Sequence, residues 1–358
     1  MRVIQWLRIG TFVAAIVLPL ATMRDPSAAL AHEQRARVAR PQLAVAGSRY
    51  PDEFDAYFRD SFGWRSQLIR WHNTFKFRFL AQSPVTNVIV GRKGWLFYAG
   101  EGDGVDIRDF SGRWAHTPAM VDRWLTEQEQ RRIFYQRQGA RYLIALVPNK
   151  QTVYPEYVPL RYGPHAPGVF DSVMRERVAR FPELDILDLR PVLATRREPP
   201  PFYRGDSHWN ANGAFLAAAA ITDHLRQVLP NTGTLRRADY SITTRPIDGG
   251  DLVRMLGLDI ALDDVAYDYQ RLTPGVENVQ NEDLHRRWRQ KDRALPTAVL
   301  LGDSFGGELA PRLADAFSSL HYYYSMRGGF DPNLVSQDSA ETVILLLVER
   351  YLPHLETQ

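Results

Sequence analysis

The chain has 358 residues, 45% of them hydrophobic and 24% charged, which is ordinary globular usage and excludes disordered, collagen-like and multi-span membrane classes. It contains no cysteine, so disulfide frameworks, zinc knuckles, iron–sulfur sites and thiol nucleophiles are excluded, and any nucleophile must be oxygen or nitrogen. The formal net charge of +3 owes most to Arg2, Arg8 and Arg24, set against only Asp25 at the amino terminus, and the near-neutral remainder gives no support to a nucleic-acid partner.

Behind Arg2 and Arg8, residues 9–20 form an uncharged apolar stretch with the build of a secretory h-region, short of the ~20 residues that span a bilayer comfortably. Residues 1–23 are expected to be a signal peptide or a membrane anchor, and a small-x-small site at Ala29-Leu30-Ala31 leaves cleavage open. Residues 24–50, rich in Ala, Arg, Gln and Pro, read as a linker, and 51–358 as the folded domain. Phe54, Tyr57, Phe58, Phe62, Ile69, Trp71 and Phe75 predict aromatic-rich helices whose rings are most simply core residues.

Val88–Val90 and Leu96–Tyr98 flank a short glycine-bounded loop and predict a hairpin. Thr117-Pro118 opens a long helix that Gly139 closes, followed by a buried strand over 141–147. A strand over 184–189, an Ala-rich helix over 210–228, and strands over 297–301, 321–324 and 342–348 complete the pattern. Such alternation means a mostly parallel sheet covered on both faces. Residues 231–295 read as an insertion with loops over the site, and the basic run Arg286-Arg287-Trp288-Arg289-Gln290-Lys291 as a solvated helix face. No internal repeat is found.

Two motifs carry chemistry. Gly302-Asp303-Ser304-Phe305 lies where an apolar strand gives way to a helix, beyond the carboxyl end of the strand, where functional groups collect in parallel sheets. Ser304 there is a candidate nucleophile that needs a base, and its own N–H a candidate oxyanion donor. Asp206-Ser207-His208-Trp209 supplies the complement: Asp206 within reach of the His208 Nδ1 and Nε2 left free to take a proton. Each motif alone has a plain alternative, a helix-capping turn built from Gly, Asp and Ser. One imidazole and one carboxylate are too few ligands for a metal site, and no metal or cofactor is expected.

These residues resemble the alginate O-acetyltransferase group of SGNH-hydrolase-like proteins, periplasmic enzymes that acetylate bacterial exopolysaccharides. The resemblance covers most of residues 50–355. It rests on Gly302–Phe305 and Asp206–Trp209, supported by Val90–Tyr98 (VGRKGWLFY), Val147–Lys150 (VPNK) with Tyr154-Pro155, and Val348–Leu352 (VERYL). It implies a flavodoxin-like three-layer α/β/α fold with additions, in which Ser304 is the nucleophile, His208 the base and Asp206 its orienter. The base precedes the nucleophile, the reverse of ordinary SGNH hydrolases. The resemblance further implies an acetyl-serine intermediate, loaded by a membrane-bound O-acyltransferase partner and discharged onto a polysaccharide hydroxyl. With it goes a periplasmic location, exported or tethered to the inner membrane through the amino terminus. No terminal carbohydrate-binding module is seen, which favours transfer or relay over stand-alone polymer capture.

A second oxyanion donor is expected from Asn149 or Arg327, each just past a predicted strand, and Tyr98, Trp114, Trp209 and Tyr324 are candidates to contact sugar rings. A carbohydrate esterase or deacetylase using the same three residues, or a non-catalytic scaffold of an export complex, are the alternatives.

Overall fold

The apolar runs at 141–147, 297–302 and 342–348 are neighbouring strands of one sheet, because only a central position buries every side chain of an uninterrupted apolar run. The structure, a computed structural model, describes residues 2–23, 38–258, 262–273, 275–282, 284–325 and 329–357. It divides into two compact units, Thr86–Val253 with Ile260–Gln358, and Met1–Val85 with Arg254–Asp259.

From Thr86 onward the order is β1 (Val88–Val90), β2 (Leu96–Tyr98), α1 (Val105–Phe110), α2 (Pro118–Arg137), β3 (Arg141–Val147), α3 (Lys150–Val153), α4 (Val169–Arg180), β4 (Asp185–Asp188), α5 (Arg190–Thr195), α6 (Ala211–Leu225), β5 (Tyr240–Ile247), α7 (Asp251–Leu256, of which Arg254–Leu256 count with the second unit), β6 (Asp264–Arg271), β7 (Val276–Asn281), β8 (His285–Gln290), β9 (Thr297–Gly302), α8 (Ser304–Leu313), β10 (Ser319–Tyr324), α9 (Leu334–Asp338) and β11 (Thr342–Val348). The seven-stranded sheet runs β4-β3-β11-β9-β10-β8-β7, with the first five parallel and β8 and β7 antiparallel at one edge. Strand pleating sends alternate residues to opposite faces. Leu143, Leu300 and Ile344 join one core with α6 and α8, while Ile144, Val299 and Leu345 join a second core with α2 and α4. The expected three layers with a mostly parallel sheet are present.

Counted from β9, the parallel strands fall in the order 2-1-3-4-5 of flavodoxin-like sheets; counted from the amino terminus they do not. The fold is therefore a circularly permuted version of that order, which puts β3 and β4 ahead of β9 in the chain. The placement of Asp206 and His208 ahead of Ser304 in the chain follows from it. After β9 the chain crosses to β10 on one side, and after β10 it crosses to β11 on the other, so β9 ends at the topological switch point.

Within 231–295 one expectation is extended and one corrected. The segment holds the β5–β6 ribbon and two strands of the main sheet. The basic run is strand β8, not a helix face: Trp288 is buried opposite Leu320 while Arg289 points to solvent.

The second unit begins with helix Arg2–Ala21, whose stretch Ile4–Ala21 has a mean hydropathy of 1.7 and is long and apolar enough to cross a membrane by length and composition. Within the expected linker, 24–37 lie outside the described residues, and 43–49 are helical turns. Helices Tyr50–Ser61 and Arg65–Leu80 follow. Their rings are not mainly core: Tyr57 is buried, but Trp71, Phe75 and Phe79 are well exposed.

Candidate active site

Ser304 stands where β9 ends and α8 begins. Gly302 lets β9 approach β11, since a Cβ there would lie 3.1 Å from the Leu346 Cβ. Asp303 caps α8 by accepting the Phe305 N–H at 2.9 Å. Its carbonyl accepts the Tyr322 hydroxyl at 2.6 Å, and Gly306 leaves room for that ring. Every residue from Leu300 to Gly306 is buried except Ser304. Its amide is at the first helical position, among the N–H groups that have no acceptor within a helix.

His208 is held quite differently, on an irregular loop between α5 and α6. Asp264 accepts the N–H groups of Arg204 and Gly205 at 2.7 and 2.8 Å. The buried Lys150 ammonium donates to the carbonyls of Tyr203, Arg204 and Asp206 at 3.0, 3.0 and 2.7 Å, one acceptor for each of its three N–H bonds. Burial pulls the Lys150 pKa down, and the carboxylates of Asp251, Asp206 and Asp264 oppose that pull. Arg350 donates to the Ser207 carbonyl at 3.3 Å and lies over the rings of Tyr98 and Phe305. The loop packs backbone to backbone on Gly249-Gly250: with φ of +133°, a Cβ on Gly250 would lie 2.3 Å from the Gly205 carbonyl oxygen.

These constraints bring the two motifs together. His208 Nε2 lies 2.7 Å from Ser304 Oγ, across 96 positions of sequence. His208 Nδ1 donates to Asp206 Oδ1 at 2.7 Å, and the same oxygen accepts the His208 N–H at 2.9 Å. Trp209 locks the arrangement from below, its indole N–H donating to the Phe305 carbonyl at 3.2 Å.

A second carboxylate, unforeseen from the sequence, faces the imidazole. Asp251 Oδ2 lies 3.4 Å from His208 Nδ1 and accepts the Ser207 hydroxyl at 2.5 Å, while Oδ1 accepts the Ser207 N–H at 2.6 Å. The Asp251 N–H in turn donates to Asp206 Oδ2 at 2.8 Å. Burial works against charge on both His208 and Asp251, but their hydrogen bonds outweigh it. The His208 pKa is raised to about 9 by Asp206 and Asp251, and Asp251 is held well below the usual carboxylate range by His208 and Ser207.

Asp206, His208 and Asp251 are also close enough together to share a cation. Their atoms are already committed, though: three of the four carboxylate oxygens accept N–H or O–H donors of the loop, the fourth accepts the Asp251 N–H, and Nδ1 faces both carboxylates. That donor pattern fits an oriented imidazole better than a metal ligand set.

The remaining expected residues divide. Tyr98 sits under Arg350 beside the loop, and Tyr324 is exposed where β10 ends against Gly302. Trp209 is fully buried and cannot meet a sugar, which corrects its assignment to substrate contact. Trp114 packs half-buried against the core on the α2–α4 face, beneath the Arg108 guanidinium. Asn149 is buried with its N–H on Glu349 Oε2 at 2.6 Å, an anchor for α3 and its neighbour Lys150. Arg327 lies outside the described residues. Lys150 and Arg350 fall in the VPNK and VERYL motifs, yet reading the sequence assigned them no role. For Asp251 the available signal was the Gly249-Gly250 pair just before it.

Comparison with known proteins agrees with this architecture. A family model described as SGNH hydrolase-like domain, acetyltransferase AlgX, matches residues 88–337. A probable alginate O-acetylase AlgJ of Pseudomonas syringae pv. tomato is 27% identical over 177 residues, 48% of this chain and 42% of that protein, so the match spans less than half of the relative. Among solved structures, Bacillus cereus PatB1 superimposes with a TM-score of 0.58 at 16% identity, covering 74% of this chain and 96% of that one. The O-acetyltransferase domain of Pseudomonas putida AlgJ gives 0.48 at 21% identity, covering 75% and 92%. The chain belongs to the AlgX-type acetyltransferase family of SGNH hydrolase-like domains.

Proposed function

We propose that this protein is an O-acetyltransferase that passes an acetyl group through Ser304 to a hydroxyl of a bacterial exopolysaccharide, alginate-like in type. The observation that carries the reading is the 2.7 Å approach of His208 Nε2 to Ser304 Oγ, with Nδ1 on Asp206. Neutral His208 takes the Ser304 proton as Oγ attacks the acetyl carbonyl, and the imidazolium returns that proton to the departing donor group. In the second half, the acceptor hydroxyl gives its proton to Nε2 and attacks acetyl-Ser304, and Ser304 recovers a proton as the ester bond breaks. The Ser304 amide, at the start of α8, is one donor to the oxyanion of each tetrahedral stage.

The acetyl donor in this reading is a membrane-bound O-acyltransferase, and the apolar amino-terminal helix tethers the protein on the periplasmic face of the inner membrane. Transfer requires the acceptor to outcompete ~55 M water, which calls for positioning at the exposed edge near Tyr324 and Tyr98. The exposure of Ser304 itself favours a second reading, an esterase or deacetylase in which water is the acceptor.

The test is to incubate the purified full chain with a chromogenic acetyl ester, with and without oligosaccharides, and to map acetyl groups by mass spectrometry. Acetylated sugar formed by wild type and not by Ser304→Ala supports transfer. Ester cleavage without acetylated sugar selects the hydrolase, and no cleavage at all points to a scaffold.

A further inference from the structure

We propose that helix Arg65–Leu80 lies in the interface of an anionic phospholipid bilayer, as a second membrane contact beside the amino-terminal helix. The inference rests on the tethered reading above, and extends it to the orientation of the unit. Leu68, Trp71, Phe75 and Phe79 recur at helical spacing and fall within about 80° of one another around the axis. All four are exposed, with Trp71 at 66%, Phe75 at 55% and Phe79 at 74%, and the Phe75 and Phe79 rings stack at 5.3 Å. Lys76 and Arg78 border this stripe on its two sides, and the helix carries Arg65 and Arg70 besides, with no acidic residue anywhere along it. Away from the stripe, Asn73 is the one buried residue of the helix and donates to the Leu256 carbonyl at 2.7 Å.

An aromatic stripe edged by cations is the composition of a helix seated at the level of lipid headgroups. Its place in the chain supports that occupant over others. The Gly63 N–H donates to the Pro19 carbonyl at 3.1 Å, and a Cβ on Gly63 would lie 2.1 Å from the Thr22 hydroxyl. The loop that opens the aromatic helix is thus packed on the end of the membrane-length helix, the point at which a spanning segment leaves the hydrocarbon.

The absence of cysteine allows a spin label to be placed at single sites in the full chain, reconstituted into vesicles of phosphatidylcholine with or without phosphatidylglycerol. Labels on Phe12→Cys, Gln67→Cys and Phe75→Cys are compared for collision with oxygen, which concentrates in lipid, and with a water-soluble nickel chelate. At 75 the label is expected to favour oxygen, at 67 the chelate, with the preference at 75 strongest in anionic vesicles. Each cation near an anionic surface favours partitioning by about five-fold, so Lys76→Gln/Arg78→Gln lowers the partition constant of the helix by about 25-fold. A label embedded at 12 but water-exposed at 75 overturns the proposal and leaves the tether standing. Exposure to water at both sites overturns both. A label at 75 that neither reagent reaches and that is immobilised shows a second copy of the chain as occupant, and also overturns it.

Discussion

The proposed nucleophile and the proposed base sit on structures of opposite kind. Ser304 occupies a strand-to-helix junction, positioned by the ladder of β9 and the first turn of α8, with its supports within a few residues or on adjacent strands. The loop of His208 has little regular structure of its own, and its backbone groups are satisfied by Lys150, Asp264 and Arg350 from distant parts of the chain. Removing Ser304 should therefore abolish chemistry without loosening the fold. Removing a support of the His208 loop should disturb both.

The largest expected effect tests the junction. Ser304→Ala should lower acetyl transfer by about 10⁴-fold or more, and Ser304→Ala/His208→Ala should be no worse than either single change, because the residues act as a unit. The melting temperature of Ser304→Ala should stay at the wild-type value, as measured by circular dichroism. A large drop there would erase the contrast between the two regions.

The next effect tests the second carboxylate. With the His208 pKa raised to about 9, the base is neutral only at alkaline pH, so kcat/KM should rise with a midpoint near pH 9 and level off only above it. Asp251→Asn removes one of the two carboxylates that raise it, and should move that midpoint toward the ordinary value of about 6.5. A rate loss of about ten- to a hundred-fold at the plateau should accompany the shift. An unmoved midpoint would reduce Asp251 to a support for Ser207. The same coupling sets stability: protonated His208 contributes fully below about pH 6.5, and that contribution is lost as pH climbs through about 9.

Lys150→Met tests the loop alone. It withdraws three donors from buried carbonyls and should cost about 3 kcal/mol in urea unfolding, together with a fall in activity. The smallest effect returns to the junction: Gly307→Ala meets nothing within 4 Å and should stabilise α8 by up to about 1 kcal/mol with activity unchanged. At Gly250 the same substitution drives a Cβ into the Gly205 carbonyl and should be clearly destabilising.

The same contrast explains what was legible in the sequence. β3 and β11 were read at their observed limits because a strand buried on both faces is an unbroken apolar run. Ser304 and the pair Asp206 and His208 were readable because each motif is compact and lies beside an element with a clear pattern. β7 and β8 escaped, since an edge of the sheet carries residues such as Glu277 and Arg289 that face solvent and leave no apolar period. Asp251 escaped because it reaches His208 through a fold-level contact 43 positions away, and local spacing holds no record of that. The helices of residues 50–80 differ in another way: aromatic content suggests core, whereas Trp71, Phe75 and Phe79 face outward.

The most direct measurement is to supply an acetyl donor while withholding every sugar acceptor, quench rapidly, and sequence the acetylated peptide. One acetyl group on Ser304, missing in Ser304→Ala and strongly reduced in His208→Ala, is the predicted result. Transfer that proceeds with no acetyl on Ser304, or an acetyl that appears there at the same rate without His208, would contradict the account.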